Sequence, residues 1–356
     1  MQFARLIIDD LRCFRHLDVV LRPGINVFVG GNGTGKTSLL EAAHLLSHGR
    51  SFRASAAEAL LRQGAASWTV HAEIRRTAGQ AQFLGLTRNA DGWQARVDGQ
   101  PVATLAALIE HCAVICFEPG SHALIAGPAE ERRRFVDWGV FHVEHEFQPI
   151  WRRYRRALRQ RNALLRSAAA DVDLTPWEQE LALRGEQLDA LRRRYLDALE
   201  PLLETLSTAL IPELGAPNLL YRRGWPAGES LAAALRGSRL RDQALGHTRP
   251  GPHRADWSLA FAAAPTRALL SRGQAKLSAL ACLLSQAELH DRRSGDAAVL
   301  CMDDLAAELD AAHLEAVVDR LQHHAGQVLI TGTTMPPVLA GSTTRFHVEH
   351  GTVRQA

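Results

Sequence analysis

Gly30-Gly31-Asn32-Gly33-Thr34-Gly35-Lys36-Thr37 decides the fold class of this 356-residue chain. Glycines at that spacing let successive backbone N–H groups wrap phosphate oxygens, while the Lys36 ammonium reaches the β and γ oxygens and the Thr37 hydroxyl ligates Mg²⁺. The flanks agree with the motif. Gly24 to Val29 reads as a short buried strand entering the loop, and Ser38-Leu39-Leu40-Glu41-Ala42-Ala43 as the helix leaving it. Lysine usage points the same way: the chain has 39 arginines and two lysines, and one of the two is Lys36. A planar guanidinium would not fill the same cradle. Gly30, Gly31, Asn32, Gly33, Thr34, Gly35, Lys36, Thr37 and Ser38 are therefore the expected site for a purine nucleoside triphosphate.

A second element supplies the acids. Ala297 to Met302 reads as a buried strand ending in Asp303 and Asp304, the Walker B arrangement, in which Asp303 holds Mg²⁺ through water and Asp304 orients or deprotonates the attacking water. The catalytic set expected from sequence is thus Lys36, Asp303 and Asp304, with Thr37 and Asp303 as metal ligands. About one helix before that strand, Leu270-Ser271-Arg272-Gly273-Gln274-Ala275-Lys276 resembles the signature loop of ABC-type ATPases. A serine and a glycine there stand at a helix N-terminus that favours an anion. Glu308-Leu309-Asp310 follows the Walker B acids, and the same resemblance implies that Leu309-Asp310 is the D-loop, with Asp310 at the interface. In the ABC family the signature of one subunit closes over the γ-phosphate held by another. The resemblance therefore implies that Ser271, Arg272, Gly273 and Gln274 act in trans, in an ATP-dependent homodimer.

Composition narrows the class. The length allows about two domains, and the net charge of +3 is too modest to announce a nucleic-acid binder by itself. Five scattered cysteines, Cys13, Cys112, Cys116, Cys282 and Cys301, read as small buried hydrophobes of a reducing compartment. Cys112 and Cys116 lack the second Cys/His pair of a structural zinc site. No run of 18 apolar residues occurs, so a cytoplasmic protein without a membrane role is expected.

The pattern along the chain divides it in three: residues 1–127, 128–211 and 212–356. The first part alternates short apolar segments with turns, including a hairpin turn at Asn89-Ala90-Asp91-Gly92, and reads as a phosphate-binding core carrying a β-rich subdomain. The second is helix-forming and charge-laced. A helix from Gln148 to Ala169 precedes one from Trp177 to Leu206, whose Trp177, Leu181, Leu188, Leu191, Tyr195, Ala198 and Leu202 form a heptad-type seam interrupted by Arg184. The third returns to alternating strands (Asp256–Phe261, Ala297–Met302, Gln327–Thr331, Arg345–Glu349) and helices (Gly228–Ala244, Gly273–Leu289, Ala311–His323). An α/β ATPase head split in sequence by an antiparallel helical arm is the expected fold.

Arg152, Arg155, Arg156, Arg159 and Arg166 fall on one face of the first arm helix, beside Trp151, Tyr154, Leu158 and Leu165, a stripe that reads as core rather than as a platform for stacked bases. Like charges at that spacing ask for an anion: either DNA phosphates, or Glu178, Glu180, Glu186, Asp189 and Glu200 of the facing helix. Arg132, Arg133 and Arg134 form a second candidate patch, with packing or ion pairing as the alternative.

The whole chain resembles the RecF family, bacterial recombinational repair ATPases related to SMC heads. The matching stretches are Leu11-Arg12-Cys13-Phe14-Arg15, the loop at Gly30 to Thr37, His48-Gly49-Arg50-Ser51-Phe52-Arg53 and Arg132-Arg133-Arg134-Phe135-Val136-Asp137-Trp138. Gly251-Pro252-His253-Arg254-Ala255-Asp256, Ser271 to Gln274 and Asp303 to Asp310 complete them. The arm is far shorter than an SMC coiled coil. The resemblance implies ATP and Mg²⁺ as cofactors, and single-stranded and gapped DNA as substrate. It also implies RecR, RecO and RecA as pathway partners in DNA repair, recombination, replication and the SOS response. A transporter-type ABC subunit and a nucleotide-binding regulator of an effector nuclease are the alternatives. Two departures from the general ABC pattern, Asp304 where glutamate is common and Thr331-Gly332-Thr333-Thr334 without a switch histidine, imply slow hydrolysis. Glu118 is the candidate for the Q-loop position.

Overall fold

A computed structural model of the chain describes residues 1–53, 57–77, 79–167, 171–341 and 343–356. Along the first 121 residues run β1 (Gln2–Leu11), β2 (Phe14–Val20), β3 (Ile25–Val29), α1 (Lys36–His48), β4 (Trp68–Arg75), β5 (Ala81–Asn89), β6 (Gly92–Val97), β7 (Gln100–Pro101), α2 (Leu105–Ile109) and β8 (Val114–Phe117). Then come α3 (Ala123–Ala126), α4 (Ala129–Val143), α5 (Phe147–Arg166), α6 (Asp171–Leu210), β9 (Pro217–Arg222), α7 (Leu231–Gly237), α8 (Arg239–Leu245), β10 (Asp256–Phe261) and α9 (Arg272–Ser294). The chain closes with β11 (Val299–Met302), α10 (Leu305–Glu308), α11 (Ala311–Gln322), β12 (Val328–Gly332), β13 (Thr343–Glu349) and β14 (Thr352–Gln355).

Two compact units result, one of Met1–Ser121 with Gln286–Ala356, the other His122–Ser285. The arm expected over 128–211 falls inside the second unit, which also holds residues 212–285.

The first unit contains two six-stranded sheets. One is antiparallel, in the order β2-β1-β4-β5-β6-β7. Its strands alternate as a half-buried sheet must: Trp68, Val70, Ala72 and Ile74 of β4 are buried, and their neighbours are not. Asn89 pairs with Gly92 across the expected hairpin turn. Asn89 Oδ1 accepts the N–H groups of Asp91 and Gly92 at 3.0 and 3.1 Å, and Gly92 adopts φ +130°.

The other sheet runs β14-β13-β3-β12-β11-β8, with every pair parallel except the β13–β14 edge. Its inner strands β3, β11 and β12 are buried throughout, as continuous apolar runs in a parallel sheet require. Because β12 lies between β3 and β11, the ends of those two strands are set one strand apart. That placement builds the site.

In the second unit, α5 packs on α6, and β9 pairs antiparallel with β10. Of the expected seam, Leu181, Leu188, Leu191, Tyr195 and Leu202 are buried; Trp177 and Ala198 are half-buried. Helix α5 ends at Arg166, and the expected end at Ala169 lies outside the described residues. The single helix expected over Gly228–Ala244 is two. Ser230 caps α7 by accepting Ala233 N–H at 3.2 Å, and the chain breaks at Ser238, whose hydroxyl bonds the Leu235 carbonyl and the Asp242 carboxylate.

Candidate active site

The loop after β3 turns on Gly33 (φ +76°) and Gly35 (φ +114°). A Cβ on Gly35 would stand 2.8 Å from both Cys13 Sγ and the Phe14 ring, so only glycine fits there. Helix α1 begins at Lys36 with no side-chain cap, which leaves its first N–H groups directed at the pocket. Lys36 is 5% exposed, and its ammonium donates to the carbonyls of Gly30 and Gly31 at 2.9 and 2.7 Å. Three donors on that nitrogen leave one for a phosphate oxygen.

Asp303 follows β11 and is buried. Thr37 Oγ1 donates to its carboxylate, 2.9 Å from one oxygen and 3.1 Å from the other. Thr331, on the intervening strand β12, donates its hydroxyl to Asp303 Oδ1 at 2.7 Å and accepts the Asp304 N–H at 2.9 Å. Burial raises the Asp303 carboxyl above the usual carboxylate range, partly offset by those two hydroxyl hydrogen bonds. Asp304 takes the left-handed conformation, φ +51°, and lines a pocket of about 470 Å³ together with Asn32, Lys36 and Thr37. A buried carboxylate and a hydroxyl within 3.1 Å of each other are hard oxygen donors that fit Mg²⁺. That ion takes few protein ligands and keeps its waters. Among the described residues, no cluster of three or more His, Cys, Asp or Glu offers a protein-enclosed metal cage.

Residues without an assigned role in the sequence complete the pocket. Arg12, at φ +55°, forks onto the buried Glu41 carboxylate with two bonds of 2.8 Å and donates to the Ala59 carbonyl at 2.6 Å. Ser51 donates to the same carboxylate and accepts the Arg53 N–H at 2.9 Å. Arg53 lines the pocket and acts electrostatically on Asp303. Both arginines lie in stretches that carry the family resemblance, and only their distance in sequence from the loop hid them. Cys13, expected to be buried, is exposed in the pocket wall. Glu118 directly follows β8, and its carboxylate accepts the Gly120 N–H at 2.6 Å.

Ser271 and Gln274 form a capping box at the start of α9: Gln274 N–H donates to Ser271 Oγ at 3.2 Å, and Ser271 N–H to Gln274 Oε1 at 3.0 Å. Ser271, Arg272 and Gly273 are exposed. Asp310 caps α11, accepting His313 N–H at 3.0 Å.

On α5, Arg152, Arg155, Arg156, Arg159 and Arg166 are exposed. Trp151, expected in the core with its stripe, is 37% exposed and carries the Arg155 guanidinium 5.2 Å from its ring centroid. The alternative in which α6 acids pair with this stripe fails, because all five are engaged elsewhere. Glu178 binds Arg161 and Arg239, Glu180 binds Arg184, and Asp189 binds Arg193 and Tyr221. Glu186 and Glu200 accept backbone N–H groups of Leu231 and Leu219. The Arg132–Arg134 patch goes to structure instead: Arg132 is 1% exposed and bonded to Asp256, Arg133 donates to the Ala255 carbonyl, and Arg134 pairs with Glu130 and Glu131.

A P-loop and a Walker B strand joined by hydroxyl bridges in a mixed parallel sheet, beside an antiparallel subdomain, define an ATPase head of the ABC and SMC type. The comparisons agree. Residues 2–350 match the family model for the RecF/RecN/SMC N terminal domain. The DNA replication and repair protein RecF of Xanthomonas axonopodis pv. citri is 47% identical over 100% of this chain and 99% of its own length. That of Azotobacter vinelandii is 40% identical over 100% and 99%. A solved structure of the recombination mediator protein RecF with ATP, in the RecFOR pathway, superposes with TM-score 0.92 at 24% identity, covering 100% of this chain and 97% of that one. An SMC head bound to the winged-helix domain of ScpA shares the fold at TM-score 0.61 and 15% identity, covering 100% and 97%. The chain belongs to the RecF family of DNA replication and repair proteins. That membership displaces the transporter and nuclease-regulator alternatives.

Proposed function

We propose that this chain is an ATP- and Mg²⁺-dependent ATPase whose active site is divided between two copies and whose dimer binds DNA. The observation that carries the proposal is the bridge from Thr37 to Asp303, which joins two motifs 266 residues apart. ATP supplies the γ-phosphoryl group, and Mg²⁺ neutralises charge on its oxygens. The chain's residues do the rest. N–H groups of Gly33 to Ser38 and the free donor of Lys36 hold the phosphates, Thr37 and Asp303 hold the metal, and Asp304 orients the attacking water. Thr331 fixes both acids at once, through Asp303 Oδ1 and the Asp304 N–H.

The exposed helix start at Ser271 to Gln274 has the anion-seeking character that a partner's γ-phosphate needs, and Asp310 stands at the same dimer interface. A short carboxylate at 304 and a segment Thr331-Gly332-Thr333-Thr334 without a switch histidine support slow turnover, timing a switch rather than driving flux. The DNA surface includes Arg152, Arg155, Arg156 and Arg159, which are exposed and, among the described residues, free of carboxylate partners. In the cytoplasm the ATP-bound dimer would act at single-strand gaps and duplex junctions, with RecR and RecO, to help load RecA. No helix among the described residues is long and apolar enough to cross a membrane.

Sedimentation with ATP, ADP and a non-hydrolysed analogue, with and without gapped DNA, tests the proposal. A dimer with the analogue that co-sediments with gapped DNA supports it. A monomer under every condition sinks the dimer, and failure to co-sediment sinks the DNA assignment.

A further inference from the structure

The second unit carries a groove of about 1110 Å³ that neither the nucleotide site nor the α5 stripe uses. Its walls come from the first turn of α4, from α6, from the end of β9 with the loop that follows, and from the turn Pro252–Arg254 leading into β10. The guanidiniums of Arg133, Arg193, Arg222, Arg223 and Arg254 line it against one carboxylate, Asp256. Both oxygens of that carboxylate are already taken by buried Arg132, at 2.7 and 3.1 Å. Positive charge at this density in a concave surface focuses potential on an incoming anion.

Three of the five arginines are held in place, Arg133 by its bond of 2.8 Å to the Ala255 carbonyl. The Arg193 guanidinium lies 5.2 Å from the Tyr221 ring centroid, with Nε donating to Asp189 at 2.8 Å. Arg223 lies 4.6 Å from the Trp225 centroid and donates to the carbonyls of Pro226 and Glu229. A guanidinium stacked on a ring keeps in-plane N–H groups for an acceptor and an open face for a base. The loop bearing Arg223 and Trp225 is docked closely: at Gly224 (φ +94°) a Cβ would meet the Gly251 carbonyl oxygen at 2.3 Å and Ala255 N at 2.8 Å. The donors at the rim are loosely held. Arg222 is 81% exposed and 3.6 Å from Asp256, and Arg254 is exposed with no carboxylate partner among the described residues.

We infer that this groove binds the phosphodiester backbone of a single nucleic-acid strand, as a site separate from the α5 stripe; the inference rests on the DNA reading above. Several phosphates are needed to satisfy arginines spread over four segments of chain. The volume also exceeds the roughly 300–1,000 Å³ of a small-ligand pocket. Planar forks held against aromatic rings suit phosphates and unpaired bases better than the dispersed carboxylates of an acidic peptide.

The test is fluorescence anisotropy of a fluorescein-labelled oligothymidylate over a salt series, using the full chain with a non-hydrolysed ATP analogue. Arg222→Gln/Arg254→Gln is compared with Arg194→Gln, an exposed arginine of α6 outside the groove. The double variant should weaken binding and lower the slope of log affinity against log salt by about 1.4, two contacts at about 0.7 each on a single strand, while Arg194→Gln leaves the slope unchanged. If wild type binds and the double variant keeps its slope, the groove inference fails and the DNA reading stands. If wild type binds neither the oligonucleotide nor gapped duplex, both fail. A loss seen only with duplex, or only with a polyglutamate peptide, reassigns the groove and overturns the single-strand inference.

Discussion

Replacing Arg161 by methionine tests whether burial, rather than position on a helix, separates structural from binding arginines on α5. Arg161 is fully buried, 0% exposed. It donates to Glu178 at 3.0 Å, Asp242 at 2.7 Å, Thr248 Oγ1 at 2.9 Å and the Leu235 carbonyl at 3.3 Å, so one side chain ties α5 to α6, α7, α8 and the segment beyond. Without it, Asp242, also 0% exposed, keeps among the described residues the Ser238 hydroxyl and the Arg249 N–H. Glu178 keeps Arg239. An uncompensated buried charge left by removing one partner costs about 3–5 kcal/mol, and the cost here centres on Asp242. Exposed Arg159→Met should cost less than about 0.5 kcal/mol. Urea unfolding followed by tryptophan fluorescence reads the difference, since five of the seven tryptophans lie in the unit His122–Ser285. If Arg161→Met falls within about 1 kcal/mol of Arg159→Met, the reasoning that assigns Arg161 to structure is wrong.

Three further outcomes follow from the geometry. Lys36→Arg should abolish binding of a fluorescent ATP analogue, because a guanidinium cannot occupy the 5% exposed seat between two carbonyls; wild-type affinity would contradict this. Thr331→Val should lower the turnover of ATP about tenfold or more while leaving the fold intact, since it releases both Asp303 and Asp304, and one positioning contact is worth that much; unchanged turnover would remove Thr331 from the site. His253, pushed down to about 4 by burial, accepts the Tyr154 hydroxyl at Nδ1 and donates from Nε2 to the Thr248 carbonyl. The unfolded ring titrates near 6.5 and binds the extra proton, so this ring alone should lower stability by about 2 kcal/mol between pH 7.5 and pH 5, and His44, also held low by burial, adds its own share. His253→Gln, with the same unfolding curves taken at both pH values, should reduce the fall by about 2 kcal/mol; an unchanged fall would contradict this.

The loop at Gly30 to Thr37 and the strand ending in Asp303 were legible because backbone conformation and local charge order dictate them. The pairing of the two motifs follows from order along the sheet, which is not local. Thr331 became a bridge only because β12 lies between β3 and β11. Arg161 was hidden by its residue type: Tyr154, Ala157, Arg161 and Leu165 make the buried face of α5, and an arginine on an apolar face reads as surface. Strand β9 escaped notice because it opens on Pro217 and is half-exposed. The break at Ser238 depends on a bond to Asp242, which helix propensity does not register.

The claim that one active site is divided between two copies of the chain is tested most directly by mixing two inactive variants, Lys36→Ala and Ser271→Arg. Random pairing into two-fold dimers leaves about a quarter of all sites with an intact loop facing an intact signature. The account predicts that each variant alone fails to hydrolyse ATP, and that the equal mixture regains about a quarter of wild-type turnover. A mixture as inactive as its components, or a Ser271→Arg chain that hydrolyses ATP unaided, would contradict it.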